Sequence, residues 1–144
     1  MIRIDTSEID KFVVDLGKLP SKAEENVKKV VKNSAFNIEK EAKSNLTSNK
    51  SVKTGHLRRG ITSDIKGLEA TIHTSNIKYA AGVEFGTRPH IIKPKNKKAV
   101  YWKGASHPVK SVRHPGGKAK PYLIPAFENN KDKFINDLKE VIEW

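Results

Sequence analysis

Residues 20–46 read PSKAEENVKKVVKNSAFNIEKEAKSNL, and the spacing of apolar residues in this stretch predicts the longest element of the fold. Apolar and small side chains recur every three or four positions for about seven turns, as on one face of an amphipathic helix. This stripe consists of Ala23, Val27, Val30, Val31, Ser34, Ala35, Ile38, Ala42 and Leu46. Pro20 suits the first turn of a helix, where its missing N–H costs nothing. Glutamate and lysine fill most of the other positions, so the opposite face is expected to meet water.

Shorter elements flank this helix. Residues 7–16 have the apolar spacing of a second, short amphipathic helix. Residues 47–53 form a polar run that buries too little surface to offset its ordering entropy, so we expect a mobile loop there. Apolar and polar residues then alternate over 61–66 and again over 70–75, with Gly67 in the turn between them, which predicts a β-hairpin.

The positive charge is concentrated further along the chain. From Phe85 to Phe127 the sequence holds ten of the 28 lysines and arginines and none of the 16 acidic residues. The ten are Arg88, Lys93, Lys95, Lys97, Lys98, Lys103, Lys110, Arg113, Lys118 and Lys120. The rest of the chain has a net charge of only +2, so +10 of the total of +12 belongs to this one segment. Such a segment indicates an anionic partner or a role in a charged assembly.

Short apolar runs within the basic segment alternate with turn residues. The runs at 91–92, 99–102 and 109–112 are strand-like, and residues 104–106 can turn the chain between the last two. Prolines beside the runs are typical of edge strands, because proline donates no hydrogen bond to a ladder. We therefore expect a basic β-hairpin insertion over residues 88–118.

The end of the chain returns to a helical period. Its apolar stripe consists of Leu123, Phe127, Phe134, Leu138, Val141 and Ile142, and Pro125 is tolerable only in the first turn. The pattern of residues 78–85 fits either a helical turn or a strand. The order of elements predicts an α+β fold, in which an antiparallel β-sheet is packed by a long N-terminal helix and a C-terminal helix. With 144 residues and no repeat or linker, we expect a single domain over residues 1–144.

Composition excludes several classes of protein and site. Without cysteine, the chain has no disulfide, no thiolate zinc site and no cysteine nucleophile. No apolar run approaches the roughly 20 residues of a membrane-spanning helix, and no apolar signal core opens the chain. We expect neither an integral membrane protein nor a classically secreted one.

The sequence offers little for catalysis or metal binding. Its five histidines are His56, His73, His90, His107 and His114, and the last three lie in a segment without carboxylate ligands. No motif of a serine hydrolase, phosphate-binding loop or zinc protease is present. A small hydrolytic or nuclease site would have to be assembled from Arg58, Arg59, Glu84, Arg88 and His90, and no spacing rule supports it. We expect Glu84 to form an ion pair, and we expect no catalytic residues, no metal and no cofactor.

Nucleic-acid binding is the stronger alternative. The ten cations are interleaved with Tyr101 and Trp102, which could stack on bases while the cations hold phosphates. A proline-rich basic hairpin could equally be an arm that docks on an acidic neighbouring subunit. Charge and composition alone leave both interpretations open.

Three short motifs in order add further information. They are TGHLRRGI at residues 54–61, YAAGVEFGT at 79–87 and KPYLIPAF at 120–127. Together with the helices before and after them, they resemble the gene-product-ten-like family of tailed phages, the neck or head-to-tail joining proteins of long-tailed virions. Residues 88–117 resemble the insertion of the longer family members.

The resemblance implies a non-enzymatic structural protein of the phage neck, a ring-forming subunit that joins head to tail during virion assembly. Its implied partners are further copies of itself and the neighbouring head-closure and tail proteins, with non-specific DNA contact as an option and no membrane contact. Its implied location is the head–tail junction of the virion, and the host cytoplasm during assembly. Interface residues are expected in the 47–53 loop, the 88–118 hairpin and the exposed charges of the long helix.

Most motif residues have an expected structural role on this interpretation. They are Thr54, Gly55, Leu57, Tyr79, Val83, Glu84, Gly86, Pro121, Tyr122, Leu123 and Pro125. Leu57 is expected to anchor the first motif in the core. Tyr79, Val83 and Phe85 are expected to anchor the second, with Gly86 supplying a backbone conformation closed to other residues.

Overall fold

The computed structural model describes residues 21–142, and helices and short strands alternate along this part of the chain. The elements are α1 (Ser21–Ser48), α2 (His56–Gly60), β1 (Thr62–Lys66), β2 (Glu69–His73), α3 (Ala80–Phe85), β3 (His90–Ile92), β4 (Val112–His114) and α4 (Leu123–Ile142). The predicted α+β class and both long helices are confirmed. The helix predicted over residues 7–16 lies outside the described residues.

The stripe of apolar residues predicted for α1 faces the core. Every member of it is buried except Val30, which is half-buried. The helix continues two residues beyond the predicted start of the 47–53 loop, and Thr47 Oγ1 donates to the Lys43 carbonyl at 3.2 Å. Lys50 then adopts a left-handed conformation with φ 54°, and Ser51 N donates to the Leu46 carbonyl at 3.0 Å. A left-handed residue followed by such a bond is typical of a helix C-terminus.

Helix α4 lies antiparallel to α1 and supplies the other half of the core. Near the start of α1, Val27 and Val31 pack with Leu138 from the end of α4. Near the end of α1, Leu46 packs with Leu123 and with Leu57 of α2. No helix among residues 21–142 has the length and hydropathy needed to cross a membrane.

Strands β1 and β2 form the predicted hairpin and pack on α1. Ser63 pairs with Ile72 and Ile65 pairs with Ala70, which places these four side chains on one face of the ladder. Ile72 and Ala70 contact the core clusters, and Ser63 Oγ donates to Glu39 Oε2 of α1 at 2.6 Å. The hairpin therefore forms a second layer against the helices.

Strands β3 and β4 form a separate two-stranded antiparallel sheet within the basic segment. His90, Ile91 and Ile92 pair with His114, Arg113 and Val112, respectively. The predicted turn between the runs at 99–102 and 109 is present, because Val100 and Val109 form a β-bridge. The sequence grouped Val112 with Val109, whereas in the structure Val112 pairs with Ile92. The ladder between β3 and β4 joins residues about 20 apart, and such pairing is not visible in local periodicity.

Candidate functional site

Residues 88–118 form an extension that we call the basic arm, and its attachment begins at Glu84 in α3. Glu84 is 2% exposed, and its carboxylate accepts hydrogen bonds from the backbone N–H groups of Tyr122 (2.8 Å), Leu123 (2.9 Å) and Ile124 (3.0 Å). These N–H groups belong to the first turn of α4, where a helix leaves donors without backbone acceptors and where negative charge is favoured. Glu84 thus fixes the start of α4 to α3.

The ion pair expected for Glu84 is wrong. Its carboxylate lies beside backbone donors, and none of the salt bridges within residues 21–142 includes it. The N–H groups that bind Glu84 belong to a distant segment of the chain. Only the tertiary arrangement therefore reveals this role. Both carboxylate oxygens are engaged, which argues against Glu84 acting as a general base.

The second motif also presents its aromatic residues differently from expectation. Tyr79 is 50% exposed and Phe85 is 60% exposed, whereas Ala80 and Glu84 are buried and Val83 is half-buried against the core. The prediction that Tyr79 and Phe85 anchor this motif is therefore wrong. Residues 80–85 are helical, and the four-residue spacing places Ala80 and Glu84 on one face.

Close backbone contacts hold the base of the arm together. Thr87 and Gly117 exchange hydrogen bonds of 2.9 and 3.0 Å between their N–H and carbonyl groups. Lys120 N donates to the Val83 carbonyl at 2.8 Å. Gly86 has φ 77° and ψ 175°, and a Cβ atom there would lie 2.7 Å from the Gly117 carbonyl oxygen. The expected need for glycine at position 86 is thus confirmed.

The stem of the arm carries a pair of stacked histidines. His90 and His114 are direct partners in the ladder, and their ring centroids lie 5.0 Å apart. His90 Nδ1 lies 2.8 Å from the Arg88 carbonyl oxygen, so this nitrogen carries the proton. His114 Nδ1 accepts a hydrogen bond from Gly116 N at 3.0 Å. Each ring is thereby oriented by the backbone of its own strand.

Both the stem and the distal part of the arm expose large apolar side chains. Ile91 is 57% exposed, Tyr101 is 65% exposed and Trp102 is 48% exposed. The turn beyond Trp102 is closed by a hydrogen bond of 3.0 Å from Ala105 N to the Trp102 carbonyl. From Phe85 to Pro121, every residue is at least partly exposed. The arm therefore leaves apolar surface unburied in the isolated chain.

All ten predicted contact cations are exposed. Nine lie within the arm, and Lys120 lies on the connection from the arm to α4. None of the ten takes part in a salt bridge among residues 21–142. The structure thus places nine of the ten cations on one extension and the tenth beside its base.

The first motif anchors α2. Leu57 is 5% exposed and lies in the core, as expected. Gly55 precedes α2 with φ 74°, and Thr54 Oγ1 accepts a hydrogen bond of 3.4 Å from His56 N. This motif therefore serves chiefly to pack a short turn of helix against the end of α1.

The third motif is tied to α1 by a row of polar side chains. Asn45 Nδ2 donates to the Tyr122 carbonyl at 3.0 Å, and Asn49 Nδ2 donates to the Pro121 carbonyl at 2.8 Å. Tyr122 and Leu123 are buried, and Pro125 is the third residue of α4, where its ring is tolerated. Asn49 lies in the stretch predicted to be a mobile loop, and its side chain is bound to the start of α4. Sequence reasoning missed this row, although Asn45 and Asn49 are four residues apart.

The proposed hydrolytic grouping is not assembled around Glu84, since backbone donors surround its carboxylate. Within residues 21–142, no cluster of three or more histidine or acidic side chains has the arrangement of a metal site. His73, the histidine of β2, lies 2.8 Å from Asp64 and 3.3 Å from Thr62 on the exposed face of the hairpin.

Comparison with known proteins places the chain in a family. A family model described as "Bacteriophage HK97-gp10, putative tail-component" matches residues 10–86, more than half of the chain. The match includes α1, the β1–β2 hairpin and the Glu84 of α3. No curated protein and no solved structure gives a significant match. The chain belongs to the HK97-gp10-like family of bacteriophage tail components.

Proposed function

We propose that this protein is a non-enzymatic structural subunit of the phage neck, which forms a ring and joins the head to the tail during virion assembly. Membership of a phage tail-component family supports a role in the virion. The basic arm supports a role in joining, because it carries exposed cations and exposed apolar side chains together.

The exposed apolar residues of β3, in the stem of the arm, favour a protein as the partner. Ile91 and Ile92 are 57% and 36% exposed, and aliphatic side chains offer neither a hydrogen bond nor a charge to a phosphate. A two-stranded hairpin is also marginally stable by itself, so a partner that buries its apolar side chains would stabilise it. The acidic groups of a neighbouring virion protein would pair with the cations, and its apolar side chains would cover the isoleucines.

The arm can be tested by neutralising four of its lysines. Replacing Lys93, Lys95, Lys97 and Lys98 by glutamine should reduce the yield of joined, infectious particles by about tenfold or more. Heads and tails should accumulate separately in electron micrographs. The matched control replaces Lys66, Lys131, Lys133 and Lys139, which are exposed and lie on β1 and α4. An unchanged yield in the arm variant would contradict the assignment of the arm to joining.

A second variant separates protein docking from simple charge attraction. Replacing Ile91 and Ile92 by serine keeps every cation of the arm. Loss of an apolar anchor at an interface costs about 2 kcal/mol or more, which is about thirtyfold in affinity. We expect joining to fall by a comparable factor in this variant, while binding to DNA stays unchanged.

Nucleic-acid binding is the alternative function, and the tip of the arm supports it. Tyr101 and Trp102 are exposed beside Lys98 and Lys103, as in surfaces that stack bases and hold phosphates. In this case a labelled DNA duplex would bind with a steep salt dependence, and the four-lysine variant would lower the slope by about 3 to 4. Tight DNA binding with normal joining in the Ile91 and Ile92 variant would favour this alternative.

A further inference from the structure

A pocket beside α2 combines cations with apolar lining. It has a volume of about 560 Å³ and lies between α2 and the turn at residues 74–78. Its lining includes His56, Arg59, Ile77, Lys78 and Tyr79. We propose that this pocket binds an acidic segment with an apolar side chain, contributed by another protein of the virion. The proposal rests on the proposed function in taking the partner from the virion.

The positive charge of the pocket favours binding of a carboxylate. Arg59 and Lys78 are exposed, and neither takes part in a salt bridge among residues 21–142. Arg59 lines the pocket, and its Nη1 donates to the Thr54 carbonyl oxygen, just before α2, at 3.3 Å. A guanidinium and an ammonium on one concave surface favour binding of an anionic side chain or chain terminus.

The apolar part of the pocket favours a peptide over nucleic acid. Ile77 supplies aliphatic surface, and half of the Tyr79 side chain is exposed beside it. The Tyr79 hydroxyl lies 3.5 Å from His56 Nδ1, so its polar end has a neighbour, while half of the residue remains exposed. Tyrosine and arginine side by side are typical anchors of protein interfaces.

The wall of the pocket is built before any partner arrives. Ser75 and Asn76 both have left-handed backbone conformations, with φ 50° and 57°, in a turn closed by a bond of 3.2 Å from Ile77 N to the Thr74 carbonyl. Ser75 Oγ donates to the Gly60 carbonyl at 2.9 Å, which ties the turn to α2. A fixed wall lowers the conformational cost of binding.

A second copy of this chain is the less suitable occupant. The chain has a net charge of +12, and several of its acids already have partners within the chain. Glu24, Glu39 and Asp137 lie in salt bridges, and Asp64 lies within hydrogen-bond distance of His73. A different, acidic virion protein therefore fits the pocket better.

The test uses the full-length protein with Tyr79 replaced by the photo-crosslinking residue p-benzoylphenylalanine. We expect irradiation of assembling particles to give a crosslink to an acidic segment of one other virion protein, mapped by mass spectrometry. Lys78→Glu should lower the crosslink yield by about tenfold, and Arg59→Glu should do the same. Arg58→Glu is the matched control, because Arg58 is an exposed neighbour outside the pocket lining.

Exchanging the charges of the two partners makes the test specific for their contact. Replacing the acidic residue found at the crosslink by lysine should restore the yield in the Lys78→Glu variant. No crosslink, a crosslink to a second copy or to nucleic acid, or no restoration by charge exchange would overturn the proposal. Unfolding curves of the Lys78→Glu and Arg59→Glu variants verify that each is folded. If the lysine variants of the arm impair joining while the pocket variants do not, the pocket fails and the proposed function stands.

Discussion

The carboxylate of Glu84 accepts a hydrogen bond of 2.8 Å from the backbone N–H of Tyr122, which lies 38 positions later in the chain. The arm leaves the core directly after Glu84 and returns directly before Tyr122. This bond and its two neighbours therefore close the base from which the arm extends. A variant of Glu84 tests how far the arm depends on that closure.

Replacing Glu84 by alanine should lower the free energy of unfolding by about 3 kcal/mol or more, because three N–H groups lose a charged acceptor. Glutamine at this position keeps one acceptor oxygen, so its loss should be smaller. Chemical denaturation measures both. Glu128→Ala on the exposed face of α4 is the control. Equal stabilities of the Glu84 and Glu128 variants would show that the cap contributes little.

Replacing Gly86 by alanine tests the crossing of the two chain segments at the arm base. Its φ of 77° with ψ of 175° is a region that only glycine adopts readily, and a Cβ atom would also lie 2.8 Å from Ala119 N. Gly67→Ala is a matched control, since Gly67 has φ 62° and no atom lies within 4 Å of its added Cβ. We expect Gly86→Ala to cost about 2 kcal/mol more than Gly67→Ala in thermal or chemical unfolding. Equal costs would mean that the backbone relaxes around the added methyl group.

The contact between α1 and β1 should make stability depend on pH through Glu39. Burial by itself raises the pKa of Glu39, but hydrogen bonds from Lys43 and Ser63 outweigh it, and the pKa is lowered from 4.5. A lowered pKa in the folded state means that the ionised form contributes stability above about pH 4.5, and that this contribution is lost as the pH falls further. We expect the stability difference between wild type and Glu39→Gln to be constant near neutral pH and to shrink in acid.

Unfolding curves at several pH values measure this difference for Glu39. Glu25→Gln, on the exposed side of α1, serves as the control. A difference between wild type and Glu39→Gln that does not change with pH would contradict the prediction.

The phenol of Tyr122 should lose its proton at a higher pH than an exposed tyrosine does. Burial, with smaller effects of Glu84 and Tyr79, raises its pKa to about 12. Because the folded state favours the protonated phenol, its contribution is complete below pH 10 and is lost as the pH rises towards 12. In the variant with Tyr79→Phe and Tyr101→Phe, Tyr122 is the remaining tyrosine, and its tyrosinate absorbance should appear only near pH 12 or on unfolding. A complete absorbance change near pH 10 in the folded protein would contradict this expectation.

The periodicity of the sequence predicted the helical layer well. The residues of α1 that face the core were identifiable, because one helix face must be apolar over its whole length if it packs on another layer. The β1–β2 hairpin was identifiable for a similar reason, since its period of two and its turn are local. The arm was predicted as a basic hairpin, but the pairing of Ile92 with Val112 was not, because it joins distant residues.

The second motif shows where sequence reasoning fails. Tyr79 and Phe85 were assigned to the core because aromatic side chains are usually buried, and Glu84 was assigned to an ion pair because carboxylates usually need a cation. In the structure the aromatic residues are exposed, and the carboxylate is buried among backbone donors. Residue type gave the wrong answer here because Glu84 binds backbone N–H groups at the start of α4. Backbone groups are the same in nearly every residue, so the sequence does not mark them as partners.

By itself, the sequence determined the α+β composition, the buried face of α1 and the acid-free run of ten cations over residues 88–120. These features follow from local spacing and from counts, which do not depend on which segments meet. Only the tertiary structure decided that Glu84 caps α4, that Tyr79 and Phe85 face outward, and that the whole arm is left without a buried residue. Burial and hydrogen bonding depend on which segments of the chain meet, so they are determined only when the segments pack together.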